Sequence, residues 1–207
     1  MDELGRRFAR LATRAVVARP RVWRVFRAPL RRQFDRLAPG WEGRVGPEAL
    51  LPLGAALDRL PQPPRRVLDV GTGTGKAARV VARRFPEAEV VGVDLAPAMV
   101  AEAKDLLPDE FGTRVRFEVA DASALPFEDG SFDLVVLLNM IPFFPELARV
   151  TALEGRLVVA SSFGSETPIY VPAETLRERL AAVGFADFDE LVAGEGSAVL
   201  AVRGNRG

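Results

Sequence analysis

A doubly wound α/β fold is what the sequence predicts: a mostly parallel seven-stranded sheet with an antiparallel last strand, preceded by an N-terminal helical segment. Three observations carry this. From Arg66 onward, apolar runs rich in β-formers recur at 66–70, 89–94, 115–120, 132–138, 156–161, 186–192 and 197–202. Stretches of helical period lie between them at 76–85, 97–107, 145–152 and 173–183, the alternation expected of parallel strands joined by crossover helices. The last two runs are separated only by "GEGS" around Gly194–Ser197, which makes them an antiparallel hairpin.

Residues 3–18 carry Leu4, Phe8, Leu11, Ala15 and Val16 at helical spacing, and Pro20 ends that stretch. A second amphipathic stretch follows, with Val22, Trp23, Phe26, Leu30, Phe34 and Leu37 on its apolar side. Pro29 predicts a break or kink inside it. "APGWEGRVGPE" (38–48) is a loop, 48–60 a further helix, and "PQPPRR" a stiff connector. The expected boundary therefore falls at 64, between an Arg-rich helical segment (1–64) and a sheet-forming domain (65–207).

Composition narrows the chemistry. The chain of 207 residues is 48% apolar and 27% charged, ordinary for a globular protein with a sizeable core. It contains neither cysteine nor histidine. Disulfides, thiol catalysis and cysteine–metal clusters are excluded, and so are the commonest general base and transition-metal ligand. No metal site is expected. The net charge is zero, yet residues 1–40 hold eleven Arg, no Lys and three acids. No apolar run reaches the roughly 18 residues of a membrane span. No leader-like segment opens the chain, so a cytoplasmic location is expected.

"VLDVGTGTGK" (67–76) places three glycines at alternate positions after the first strand. Such a turn lets a ligand lie against the backbone at a helix N-terminus, where free N–H groups favour anionic or oxygen-rich groups. A packing role alone would also explain the glycines. A phosphate-cradling loop fails, because Val70 stands where its first glycine belongs and Ala77 follows Gly75-Lys76. The dinucleotide fingerprint fits poorly, because Lys76 occupies its third glycine. An acid, one residue and then G-x-G-x-G fits fully, through Asp69, Gly71, Gly73 and Gly75.

That stretch resembles the first motif of the class I S-adenosylmethionine-dependent methyltransferases, a Rossmann-like family. "AEVVGVDLAPAMVAEAK" (88–104), "VRFEVADASALPFEDGSFDLVVLLNMI" (115–141) and "LEGRLVVASSF" (153–163) resemble the family's later motifs in order. The resemblance covers about 65–203 and implies S-adenosylmethionine as cofactor. It implies that Gly71, Thr72, Gly73 and Gly75 admit the methionine part. Asp69 would reach its ammonium, directly or through water, or instead fix the glycine turn. Asp94 would accept both ribose hydroxyls, which the two oxygens of a carboxylate can do. Leu95 and Met99 would line the adenine pocket, Asp121 would accept the adenine amino group, and the Ala122 N–H would face a ring nitrogen. Asn139 would lie where the methyl group emerges. Asp133 reads as a structural cap and Glu128-Asp129-Gly130 as a turn.

"FDRLAPGWEGR" (34–44) is similar to the entry segment of small-molecule methyltransferases, quinone-biosynthesis types included, so the resemblance implies methyl transfer by in-line displacement to a small-molecule acceptor. No residue presents itself as a catalytic base. "NMIPFF" after the fourth strand departs from the motif of amide and adenine methylating enzymes. Phe34, Trp41, Met140 and Tyr170 are the candidates for the acceptor side, with lid packing an equal reading for the first two. For the Arg-rich segment three readings stand: a solvated helix pair packed on the domain, which is preferred, a surface for anionic lipid, and a nucleic-acid contact. The last is disfavoured by the lack of an aromatic-basic module. The oligomeric state is not legible. The alternative to an enzyme is a protein of the same fold that binds the cofactor or a partner without catalysis. An aminopropyl transferase is a remote third, since no acidic polyamine motif is evident.

Overall fold

The computed structural model describes residues 3–44 and 46–204. Seven strands form one sheet in the order β3-β2-β1-β4-β5-β7-β6. They are β1 (Arg66–Val70), β2 (Glu89–Asp94), β3 (Val115–Val119), β4 (Phe132–Leu138), β5 (Thr151–Ser161), β6 (Phe185–Ala193) and β7 (Gly196–Arg203). Neighbouring strands from β3 through β5 are parallel. β7 runs antiparallel to both β5 and β6. The predicted architecture is therefore present, hairpin included.

Alternation along the strands splits the core in two. Leu68, Val70, Val91, Val93, Val135 and Leu137 point to one face, where they pack with Ala12 and Val16 of α1 (Glu3–Ala18) and with Trp23 and Leu30 of α2 (Trp23–Leu37). Val67, Val90, Leu134 and Val136 point to the other, against α3 (Leu51–Leu57), α4 (Lys76–Arg84) and α5 (Pro97–Asp105). A period of two on strands buried on both sides requires this arrangement. α6 (Phe144–Val150) and α7 (Ala173–Ala182) complete the first face.

The structure departs from the sequence reading in three places. α2 runs without interruption through Pro29. The carbonyl that loses its partner is that of Val25, which is 70% exposed, so water can replace the missing N–H. The expected helix over 48–60 becomes a 3₁₀ turn at Pro47–Leu50 followed by the shorter α3. β5 begins at Thr151, five residues early, because Phe132 of β4 pairs with Thr151 across a bulge.

Sheet order reverses between β1 and β4, which lie side by side while their following connections diverge. A crevice at the carboxyl ends of the strands is the consequence, and ligands of open α/β sheets bind there.

Candidate cofactor and acceptor site

The glycine loop after β1 holds that crevice open. Gly71, Gly73 and Gly75 all adopt positive φ, at 75°, 54° and 81°. A Cβ on Gly75 would stand 2.6 Å from Phe117 of β3, so this glycine is required by packing under the loop. One on Gly71 would stand 2.6 Å from Met140 Sδ. At Gly73 the nearest atom is Trp41 Nε1, 3.7 Å away, so its backbone is the part of the loop left approachable.

Two carboxylates fix the loop, Asp69 buried and Asp94 part-buried. Asp69 Oδ2 accepts from Thr72 Oγ1 at 2.6 Å and from the Ala78 N–H at 3.0 Å, tying β1 to the first turn of α4. Its Oδ1 is buried with no partner among the described residues. Burial pushes the Asp69 carboxyl up to about 7, against the pull of those two hydrogen bonds. Asp94 ends β2. Its Oδ2 accepts from the Gly73 N–H and its Oδ1 from the Ala96 N–H, both at 2.9 Å. Burial raises its pKa, and the two backbone hydrogen bonds oppose the rise. Each oxygen keeps lone-pair capacity toward the cavity.

The cavity is lined at its floor by Gly71, Thr72, Gly73, Asp94, Leu95 and Met99, and toward its end by Ala122, Asn139 and Met140. Its roof is α2 and the turn that follows, through Trp23, Leu30, Phe34 and Trp41. Asn139 holds a left-handed conformation (φ 55°) that few side chains tolerate. It is fixed there because its Nδ2 donates to Ser162 Oγ at 2.8 Å and its Oδ1 accepts from the Ser162 N–H at 2.9 Å.

Of the residues singled out from sequence, Asp69, Gly75, Asp121 and Tyr170 do not line the cavity, whereas the others do. Ile169 lines it in place of its neighbour Tyr170. Asp121 lies behind Ala122 and is engaged by the roof: its Oδ1 accepts from Trp23 Nε1 at 2.9 Å, and Oδ2 from Arg27 at 3.2 Å. Burial pushes this carboxyl up, but hydrogen bonds from Ser123, Trp23 and Arg27 outweigh it and hold the pKa below its ordinary value. Asp133 accepts from the Arg65 and Arg66 N–H groups at the entry to β1, the structural role expected of it.

Sequence reasoning missed Glu42, Arg79 and Ser162. Glu42 clasps the roof to the glycine loop: Oε2 accepts from Thr74 Oγ1 at 2.7 Å and Oε1 from buried Arg79 at 2.8 Å. Its carbonyl accepts from Lys76 Nζ at 2.7 Å. No periodicity announces such a contact across 37 residues. The cavity holds about 130 Å³. Small-molecule sites usually hold roughly 300 Å³ or more, so admitting an adenosyl ligand requires the roof to yield. Among the described residues no cluster of acidic side chains could hold a metal ion.

Fold and cavity together define a doubly wound α/β protein with a ligand-type cavity at its strand carboxyl ends. Residues 67–158 match the model of a family described as a methyltransferase domain. This segment, somewhat under half of the chain, is a methyltransferase domain of the class I S-adenosylmethionine-dependent kind, whose methyl donor is S-adenosylmethionine. Demethylmenaquinone methyltransferase of Thermus thermophilus is 47% identical over 107 residues, 48% of each chain. Malonyl-[acyl-carrier protein] O-methyltransferase of Halorhodospira halophila is 47% identical over 111 residues, 50% of this chain and 37% of that one. The chain thus spans about half the length, or less, of these curated relatives. A methyltransferase from Aquifex aeolicus shares the fold at a TM-score of 0.67 and 19% identity, covering 80% of this chain and 98% of that one.

Proposed function

We propose that the chain transfers a methyl group from S-adenosylmethionine to a small, largely apolar acceptor held under the α2 roof. The observation that carries this is Asp94: a carboxylate at the end of β2, anchored by two backbone N–H groups and lining the crevice beside a glycine loop, which opens to an adenosyl ligand when the roof yields. The cofactor, when bound, supplies an electrophilic methyl on a sulfonium. The chain's part is to bind, orient and exclude water. Asp94 takes the ribose hydroxyls, the backbone at Gly71 and Gly73 receives the methionine part, and Leu95, Met99 and Ala122 enclose the base. Asp69 fixes the loop from behind. Its partnerless Oδ1 is the remaining acceptor for the cofactor's ammonium, reached through water.

Trp23, Leu30, Phe34, Trp41, Met140 and Ile169 give the acceptor an apolar enclosure. Positioning in line with the methyl group is then the main source of acceleration. The chain holds no histidine, and among the described residues Asp94 is the one carboxylate lining the cavity, so the acceptor is one already nucleophilic enough to need no general base. The activity of the Thermus relative on demethylmenaquinone, an apolar quinone, supports an acceptor of that character. Peripheral contact of residues 1–40 with an anionic membrane is compatible with this reading and is not required by it.

Calorimetric titration tests it. Wild type should bind S-adenosylmethionine in the micromolar range, on the order of −7 to −8 kcal/mol, and Asp94→Ala should lose at least about a hundredfold (two hydrogen bonds to a charged group). Absence of binding to folded wild type would refute the proposal.

A further inference from the structure

A second concavity lies on the outer side of the roof, apart from the cofactor crevice. It is a groove of about 1490 Å³ between α1 and α2. Its apolar surface is Leu4 and Phe8 of α1 with Pro29 and Leu37 of α2. Arg32, Arg36 and Arg44 stand around it, and no acid pairs with any of them among the described residues. The groove's acid, Asp35, is turned to the body, where its Oδ1 accepts from the Ala98 N–H at 3.1 Å.

The surface that continues from the groove has the same composition. Leu4, Arg7, Leu11, Arg14 and Ala18 recur on the side of α1 opposite buried Ala9, Ala12 and Val16, and all five are exposed. Leu4 is 77% exposed and Leu11 59%. On α2, Val25 is 70% exposed beside Arg24 and Ala28, with Arg21 of the preceding turn also exposed. Outward leucines spaced between arginines gain nothing in water or against a phosphodiester backbone. They gain at an interface that is anionic at its surface and apolar just beneath.

Building on the proposed acceptor reading, we infer that the α1–α2 groove binds an anionic phospholipid and that the outer face of the two helices docks on an anionic bilayer. The acyl chain lies on Leu4, Phe8 and Leu37, and the phosphate meets Arg32, Arg36 and Arg44. Docked so, the opposite side of α2, with Leu30 and Phe34, still roofs the cofactor crevice. A bilayer-dissolved acceptor therefore reaches the crevice past one helix.

Flotation of the full chain, loaded with S-adenosylmethionine, is measured with vesicles of phosphatidylcholine alone and with added phosphatidylglycerol. Partition should require phosphatidylglycerol and fall with salt. Each arginine near the surface contributes about fivefold, so Arg32→Gln/Arg36→Gln/Arg44→Gln should weaken partition on the order of a hundredfold. Leu4→Ser/Leu11→Ser should weaken it about tenfold or more, which a purely electrostatic contact would not show. Dihexanoyl-phosphatidylglycerol below its micellar range should shift the methyl resonances of Leu4 and Leu37, whereas inorganic phosphate should leave them unmoved. Equal partition to neutral vesicles, none to either, an unchanged arginine variant, or preferential binding of a short RNA duplex overturns the inference. The same preparation titrated with S-adenosylmethionine separates the two readings. Cofactor binding without vesicle binding defeats this inference alone, and vesicle binding without cofactor binding defeats the functional proposal.

Discussion

At Asp69 one residue carries opposing demands. Its carboxylate organises the loop by accepting from Thr72 and Ala78, yet burial holds the group near the midpoint of ionisation at neutral pH, about 7 in the folded chain against 3.8 as the reference. Between those values the folded protein binds more protons than the unfolded chain. Stability should therefore decline as pH rises from about 4 toward 7 and level off above, by up to a few kcal/mol from this group. Asp69→Asn keeps an oxygen for Thr72 and Ala78 and places its amide at the partnerless position. Chemical denaturation across pH should show the variant equal to or more stable than wild type at pH 8, with a flatter profile. A variant that follows the wild-type pH slope would show that Asp69 is not the group responsible. Gly75 was legible from the sequence only as part of a motif; its physical requirement, the Phe117 ring beneath it, is a contact between distant residues that spacing cannot show.

Elements show where local pattern suffices and where it does not. The strands could be read because burial on both faces writes continuous apolar runs into β1, β2 and β4, and the hairpin because only a tight turn separates β6 from β7. The start of β5 could not, since "TALEG" lacks an apolar run and is recruited by pairing with Phe132. Helix α2 was misread at Pro29 because the lost hydrogen bond falls on its wet side. The site was half legible: the floor residues sit in motifs, but the roof's three attachments are made by Asp121, Asp35 and Glu42 to partners far away in sequence. Glu42 is the attachment that neutralises Arg79, whose side chain is 9% exposed against 36% for Glu42. Glu42→Gln should cost about 1–2 kcal/mol, less than a fully buried pair because Glu42 meets solvent. Loosening should concentrate in the roof. Trypsin should cut after Arg44 several times faster, and S-adenosylmethionine should dissociate faster with little change in the far-ultraviolet spectrum. Unchanged cleavage at Arg44 would show that the roof is held by its other attachments.

For the molecule as a whole, we propose that the charge asymmetry of the sequence is not a mechanical boundary. The arginines of residues 1–40 lie largely outside, while Ala9, Ala12, Val16, Trp23 and Leu30 belong to the same apolar cluster as Leu68, Val70 and Leu137 of the sheet. Trp23 packs edge-on against Phe143 at 5.1 Å. α3, within the helical segment drawn at 1–64, is buried on the other face through Leu53 and Ala56. Segments sharing one dry core do not melt separately, because exposing either exposes both. On this proposal the sequence boundary at 64 is a change of composition, and calorimetry should show a single transition in which helix and sheet signals coincide. Leu30→Ala, at a side chain 3% exposed, should lower stability by about 2–5 kcal/mol. It should do so for the whole chain, moving near-ultraviolet and far-ultraviolet melts together. Two separated transitions, with only the first displaced by Leu30→Ala, would instead establish the N-terminal helices as an independent unit resting on a self-sufficient domain.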